Sequence, residues 1–345
     1  MILAGDIGGT NTRLAFFEGT AQRPVPVVTK VFPSRSHSGL EEILRIFLAE
    51  HQRPVGAAAF GIAGPVKDGR CQTPNLPWIV DSTSVARCLG LPAAGLLNDL
   101  EANAHGIAVL GPNDFITLYE GAPGASGNRA LISAGTGLGE AGLVAEGNEY
   151  RPYASEGGHA DFAPRTEEEV ALLRYLWQFF DHVSYERVLS GPGLNNIYQF
   201  LRDTGRADEP ASLAEELARR DPPRVIAEHG LQGDSPICAL AMEMFVSIYG
   251  AETGNLALRA MATGGVYLGG GVAPKILPKL QDPAFLKAFR AKGRLSNFVE
   301  AVPVRVIMND QTALLGAARV AFLASPKSWI AGAEGLKRKN PAGRL

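Results

Sequence analysis

The sequence predicts an α/β protein with a duplicated core, and three observations carry that prediction. A strand–glycine turn–strand unit opens the chain. Residues 2–4 form an apolar strand, Gly5, Gly8 and Gly9 permit a tight turn, and residues 14–17 return as a strand. A second unit of the same design spans residues 130–144, around the turn Gly135-Thr136-Gly137-Leu138-Gly139. From residue 1 to about 110, apolar strands alternate with segments of helical periodicity.

The elements follow in order. Residues 25–32 read as a third strand. Ser38-Gly-Leu-Glu41 has the spacing of a capping box, and Leu40, Ile43, Leu44, Phe47 and Leu48 then share one helical face. Residues 55–62 suit a buried strand that ends in a glycine-rich loop, residues 61–66. Residues 78–80 and 96–97 are further short strands, and Asp81-Ser82 caps a brief helix that stops at Gly90. Residues 115–119 and 130–133 start a second set of strands. From Thr166 the chain turns helical, with a second capping box to Glu169 and an apolar face of Leu172, Leu173, Leu176, Phe179 and Phe180. Short helices are expected at 194–201 and 213–219, and a long one from Ser235-Pro236 to about Ala262. Residues 266–274 read as strand, glycine turn and helix start, and residues 310–322 as a final helix.

The bulk composition narrows the function. A hydrophobic fraction of 46% and a charged fraction of 20% describe an ordinary soluble globular protein. A net charge of −2 gives no reason to expect nucleic-acid or membrane binding. Cys71, Cys88 and Cys238 are widely spaced, with neither metal-ligand spacing nor a disulfide framework. Neither a secretory leader nor an apolar run of membrane length is present, so a cytoplasmic location is expected.

Several residues are candidates for chemistry, each with a plainer alternative. The first turn holds Asp6 beside Thr10, Asn11 and Thr12. Backbone N–H groups at such a turn can accept phosphate oxygens, whereas Asp6 would act through Mg²⁺ or a metal-bound water. The plainer alternative is a simple hairpin. Neither turn is a P-loop, since no Gly-Lys-Ser/Thr follows the glycines. Asn98-Asp99 ends a buried strand, where ligands of α/β folds bind, although Asp99 capping the next helix would explain it equally. Glu156, His159 and Asp161 surround two glycines in what could be an ordinary polar loop, and Glu156 and His159 could hydrogen-bond several hydroxyls of one small polar ligand. One histidine without a cysteine cluster makes a poor zinc site. Glu186 by itself reads as a solvated helix residue. Together, two phosphate-type turns, a third at Gly269-Gly270-Gly271 and these carboxylates fit a phosphotransferase with a duplicated actin-like core.

Seven segments in order resemble the bacterial ATP-dependent glucokinases that lack a zinc-binding cysteine motif. They are GDIGGTNTRLAFF (residues 5–17), FGIAGPV (60–66), NDLEANAHGI (98–107), SAGTGLGEAGLV (133–144), SEGGHADFAP (155–164), SYERVLSGPGL (184–194) and YLGGGVAPKI (267–276). The resemblance implies a duplicated actin-like (ribonuclease H-like) sugar kinase fold with two domains around a cleft. The small domain would take residues 1–110 plus about 308–325, and the large one residues 111–307. Residues 326–345 would be a loosely held tail.

The same resemblance implies the site. Asp99 would be the general base toward the sugar 6-hydroxyl, and Asn98, Glu156, His159 and Glu186 would bind the other hydroxyls. Asp6, Ile7, Gly8, Gly9, Thr10 and Asn11, with Gly135, Thr136, Gly137 and Gly139, would hold ATP phosphates. Asp6 would lie near Mg²⁺, and Gly269, Gly270 and Gly271 would lie against the adenosine. No structural zinc is expected, because AlaAspPheAlaPro follows the Glu-x-Gly-His segment without a cysteine. Glucose as substrate and a homodimer are implied, with neither nucleic acid nor membrane as partner. Three alternatives remain. A kinase for mannose or fructose would need only a slightly different sugar site. A sugar-responsive regulator would need a helix-turn-helix, for which the turn at Gly5 leaves no room upstream. A nucleotide-switch ATPase would leave Asn98, Asp99, Glu156 and His159 unexplained.

Overall fold

The computed structural model describes residues 1–74, 76–147 and 149–324. The tail expected at 326–345 lies outside the described residues. The chain forms two compact units, one of residues 1–111 joined by the segment from Gln311 onward, the other of residues 112–310.

The first unit runs β1 (Ile2–Ile7), β2 (Asn11–Thr20), β3 (Arg23–Pro33), α1 (Leu40–His51), β4 (Ala57–Ile62), β5 (Arg70–Gln72), β6 (Ile79–Asp81), α2 (Ser82–Leu89), β7 (Gly95–Asn98) and α3 (Asp99–Ile107). Its main sheet has the order β3-β2-β1-β4-β7. The first three strands form an antiparallel meander, and β4 and β7 add in parallel. α1 buries Leu40, Ile43, Leu44 and Phe47 with Phe16 and Phe60 of the sheet in one apolar cluster. Asp81 caps α2 as expected, accepting from the N–H groups of Thr83 and Ser84.

The second unit runs β8 (Phe115–Tyr119), β9 (Arg129–Ala134), β10 (Leu138–Glu146), β11 (Glu149–Ser155), α4 (Glu167–Leu176), α5 (Gly191–Asp203), α6 (Ala211–Arg219), α7 (Pro222–Gln232), α8 (Pro236–Arg259), β12 (Gly265–Gly269), α9 (Leu277–Leu280), α10 (Pro283–Arg290), α11 (Ser296–Glu300) and β13 (Val304–Ile307). Its sheet has the order β11-β10-β9-β12-β13-β8. The antiparallel meander β9-β10-β11 and the parallel additions β12 and β13 repeat the first unit's plan. α8 is apolar nearly all round and buried along most of its length. A helix of that character belongs inside a core.

The chain then returns to the first unit as α12 (Thr312–Leu323). α12 crosses α3 so closely that a Cβ on Gly316 would stand 1.8 Å from the Ala102 carbonyl oxygen, and one on Gly106 2.1 Å from that of Thr312. Among the described residues, no helix is long and apolar enough to cross a membrane.

Three local expectations need correction. Ser38 does not form a capping box with Glu41. Gly39 holds the N-cap position without a side-chain cap, and Glu42 accepts from both the N–H and the hydroxyl of Ser38. The helix therefore starts one residue later than that spacing assumes. Gly5 and Asp6 are not in the first turn but inside β1, paired with Leu14 and Arg13. Gly5 is required there by packing, since a Cβ would stand 2.5 Å from the Phe60 ring. α7, α10, α11, β5, β11 and β13 were not anticipated. The proline pair that opens α7 resembles a breaker, yet proline is at home in a first helical turn.

Candidate active site

In the first unit the predicted residues gather at the carboxyl ends of β1, β4 and β7, where ligands of parallel α/β sheets bind. Asp6 is in register with Gly61, and Ile62 with Asn98. Asp99 follows as the first residue of α3, with its Cα 4.0 Å from where a Cβ of Gly61 would lie. Asn98, not Asp99, occupies the N-cap. Its Oδ1 accepts the Leu100 N–H at 2.9 Å and its Nδ2 donates to the Gly64 carbonyl at 2.9 Å. Asp99 Oδ1 accepts the same Leu100 N–H at 3.0 Å, so the carboxylate sits on a helix N-terminus, which stabilises negative charge.

The first turn itself is Gly8, Gly9 and Thr10, closed by the Gly8 N–H donating to the Asn11 carbonyl. Ser34, fully buried, braces it from the end of β3. Its hydroxyl donates to the Gly8 carbonyl at 2.8 Å and lies 3.0 Å from Thr12 Oγ1, and its N–H donates to the Thr10 carbonyl. Ile7 belongs to the apolar core by its side chain, so only its backbone faces the turn.

The second unit brings its predicted residues together more tightly. Gly135 N–H donates to the Gly137 carbonyl, and the Gly135 carbonyl accepts from Gly191 at the start of α5. Glu186 Oε2 accepts the Leu138 N–H at 3.0 Å. A Cβ on Gly137 would come within 2.6 Å of that same carboxylate oxygen, so the turn is glycine where the carboxylate approaches. Thr136 at the tip is exposed, and Gly139 continues into β10 opposite Ser133. Gly269 pairs with Ser133, and Gly270, at φ 77°, lies against the Ala134 carbonyl. Gly271 is exposed beside it. The third turn thus abuts the second.

Glu156 and His159 flank a single helical turn, Gly157–His159, and both are exposed. Gly158 lies on β10, where a Cβ would meet the Leu138 carbonyl oxygen at 2.0 Å. His159 and Glu186 line one cavity of about 300 Å³ together with Phe180, Asp181, His182 and Ser184. Asp161 pairs instead with His182 at 3.0 Å. Among the described residues, no group of three or more histidine, cysteine, aspartate or glutamate side chains is arranged to hold a metal ion. A lone carboxylate such as Asp6 still fits Mg²⁺ that arrives with nucleotide, because that ion takes one or two carboxylates plus phosphate and water.

Two features escaped the sequence. Ser34 carries no motif. Beside the second turn the buried carboxylates of Glu140 and Glu252 meet Arg259, whose side chain is 45% exposed and one of whose guanidinium nitrogens bonds to both. Burial, together with the nearby Glu252 carboxylate, pushes the Glu140 carboxyl up to about 8. The available signal was a glutamate inside an otherwise apolar stretch of strand, residues 138–145, and an acid–base pair inside the apolar α8.

Duplicated mixed α/β units, each presenting a glycine turn at its first hairpin, define a phosphotransferase of the actin-like sugar kinase class. The comparisons specify it. The glucokinase family's sequence profile matches residues 3–324. A glucokinase from a Nostoc species is 40% identical over 334 residues, spanning 92% of this chain and 98% of its own length. One from a Synechocystis species is 37% identical over 342 residues, spanning 92% and 96%. The crystal structure of a glucokinase from an Antarctic psychrotroph superposes with a TM-score of 0.81 at 29% identity, covering 94% of this chain and 99% of that one. The chain belongs to the glucokinase family and is a kinase by enzyme class.

Proposed function

We propose that the protein transfers the γ-phosphoryl group of ATP to the 6-hydroxyl of D-glucose, with Asp99 as general base. The observation that carries this is the position of Asp99: a carboxylate opening α3 at the carboxyl ends of parallel strands, two residues beyond Leu97, which is in line with Gly61 and Asp6. Asp99 would take the hydroxyl proton as the oxygen attacks phosphorus, the usual contribution of a carboxylate to this chemistry.

Glu156, His159 and Glu186 would bind the remaining hydroxyls. The cavity shared by His159 and Glu186 supports that assignment for those two. Asn98 would contribute chiefly by fixing the start of α3, because both polar atoms of its amide are already engaged within the protein. Asp6, Ile7, Gly8, Gly9, Thr10 and Asn11, and Gly135, Thr136, Gly137 and Gly139, would line the phosphate site, offering backbone N–H groups and hydroxyls other than the Gly8 and Gly135 N–H groups, which close their own turns. Gly269, Gly270 and Gly271 would pack against the adenosine. Mg²⁺, held through Asp6 or its water, would neutralise charge on the transferring phosphoryl group. A homodimer in the cytoplasm is the proposed setting, supported by the family resemblance alone.

The test is Asp99→Asn. Turnover with glucose should fall by about 100-fold or more while nucleotide binding and thermal unfolding stay near wild type. Near-normal turnover would remove Asp99 from the role.

A further inference from the structure

The Glu140 cluster has no part in the roles above, yet it lies directly beneath the turn that carries Glu156 and His159. Glu140 stands in β10 opposite Ser155 of β11. Its carboxyl is 1% exposed, and that of Glu252 is fully buried. Burying two carboxylates beside one guanidinium is costly, and a strand facing a core has no need of it. Glu140 Oε2 accepts from Arg259 at 2.9 Å, while Oε1 has no hydrogen-bond partner within 3.5 Å among the described residues, with the Glu252 carboxyl beside it. Glu252 is held further by Asn255, whose amide also donates to the Tyr185 hydroxyl and accepts from Lys292. The cluster is therefore anchored on three sides.

The fourth side is Gly157. A Cβ there would stand 2.1 Å from Glu140 Oε2, so the turn's backbone rests on the carboxyl itself. Gly158 rests in the same way on the carbonyl of Leu138, two residues before Glu140. The pair Gly157-Gly158 separates Glu156 from His159. Whatever fixes the height and tilt of these glycines fixes where the two side chains point.

We propose that Glu140 is a positioning residue for sugar recognition: its buried carboxyl, tethered through Arg259 and Glu252 to α8, is the seat that aims Glu156 and His159. This rests on the reading that those two residues bind the sugar. A neutral Glu140 carboxyl suits the seat, since one proton relieves the repulsion between two buried acids sharing one arginine. Ionising it would place a second charge under the turn.

The experiment compares Glu140→Ala, Glu140→Gln and Glu156→Gln by steady-state kinetics with glucose and Mg-ATP. Glu140→Ala should raise the glucose KM by about 10-fold or more, with kcat and the ATP KM little changed, because a displaced binding group loses alignment rather than chemistry. Glu140→Gln, which mimics the neutral acid, should restore the glucose KM to within about threefold of wild type. A second readout survives poor folding of the alanine variant. The glucose KM of the wild type should rise more steeply as pH passes about 8 than that of Glu140→Gln. Glu252 and Arg259 face Glu140 in both proteins, and Lys292, which burial brings down to about 8, titrates in both, so the difference reports Glu140. An unchanged glucose KM in Glu140→Ala alongside a raised one in Glu156→Gln would overturn the positioning role alone. Unchanged values in both would overturn the sugar-ligand reading. Matching pH profiles for wild type and Glu140→Gln would also count against the seat.

Discussion

The turn between β1 and β2 is braced by neutral hydroxyls, whereas its counterpart between β9 and β10 is braced by a carboxylate. Ser34 supports the first turn through the Gly8 and Thr10 carbonyls, leaving its N–H groups uncommitted to acid. Glu186 holds the second turn by the Leu138 N–H, and the same residue lines the cavity with His159. Two hairpins with the same strand plan have thus diverged in what holds their tips. Under the proposed function, the first turn serves nucleotide alone, while the second links the phosphate and sugar ligands through one side chain. A duplicated fold supplies the frame, and the residues around each tip decide its task.

The largest expected effect breaks the frame rather than the tips. Gly316→Ala would drive a methyl group into the Ala102 carbonyl at the α3–α12 crossing. A loss of about 3 kcal/mol or more in urea unfolding is expected, since backbone on both sides cannot yield. Next comes Glu186→Ala, which deletes the acceptor of the Leu138 N–H. It should raise the glucose KM by about 10-fold and the ATP KM as well, since hydrogen bonds to charged groups are the stronger kind. A change in glucose alone would break the proposed link. Ser34→Ala should act more weakly and only on ATP, by about fivefold in KM, for loss of the neutral hydrogen bonds to the Gly8 carbonyl and the Thr12 hydroxyl. An effect on glucose there would erase the contrast between the turns.

A further difference lies in the pH dependence of stability. Glu140 is raised from its ordinary 4.5 to about 8, so the folded state holds a proton that the unfolded state has lost, and stability falls as pH rises between those values. His105 of α3 is brought down from 6.5 to about 4, chiefly by burial and then by Arg319, so stability falls as pH drops through that interval. Because the two contributions oppose each other between pH 4.5 and 6.5, thermal unfolding should lose its downward slope from pH 6.5 to 8 in Glu140→Gln and its loss toward pH 4 in His105→Gln. Retention of either slope would remove the corresponding residue as its source.

Both glycine turns, the caps at Asp81 and Thr166 and the long α8 were legible because local rules govern them: glycine at tight turns, side-chain oxygen at helix starts, apolar runs in the core. The misreadings came where tertiary contact overrode local chemistry. Gly5 is dictated by the Phe60 ring from a parallel strand more than fifty residues away, not by a turn. Glu186 looks solvated by its neighbours, but its carboxylate is claimed by a hairpin 48 residues earlier in the chain. Glu140, Glu252 and Arg259 meet only after β10 and α8 have packed. The candidate site residues themselves were found through seven ordered motifs, since no single spacing distinguishes Asn98-Asp99 from an ordinary helix cap.

The central claim is sugar-dependent phosphoryl transfer, and its most direct test is ADP release from Mg-ATP with glucose, mannose, fructose, N-acetylglucosamine or no sugar. Strong release is expected with glucose and little without sugar. Equal release with and without sugar would contradict it and indicate a nucleotide-switch ATPase instead.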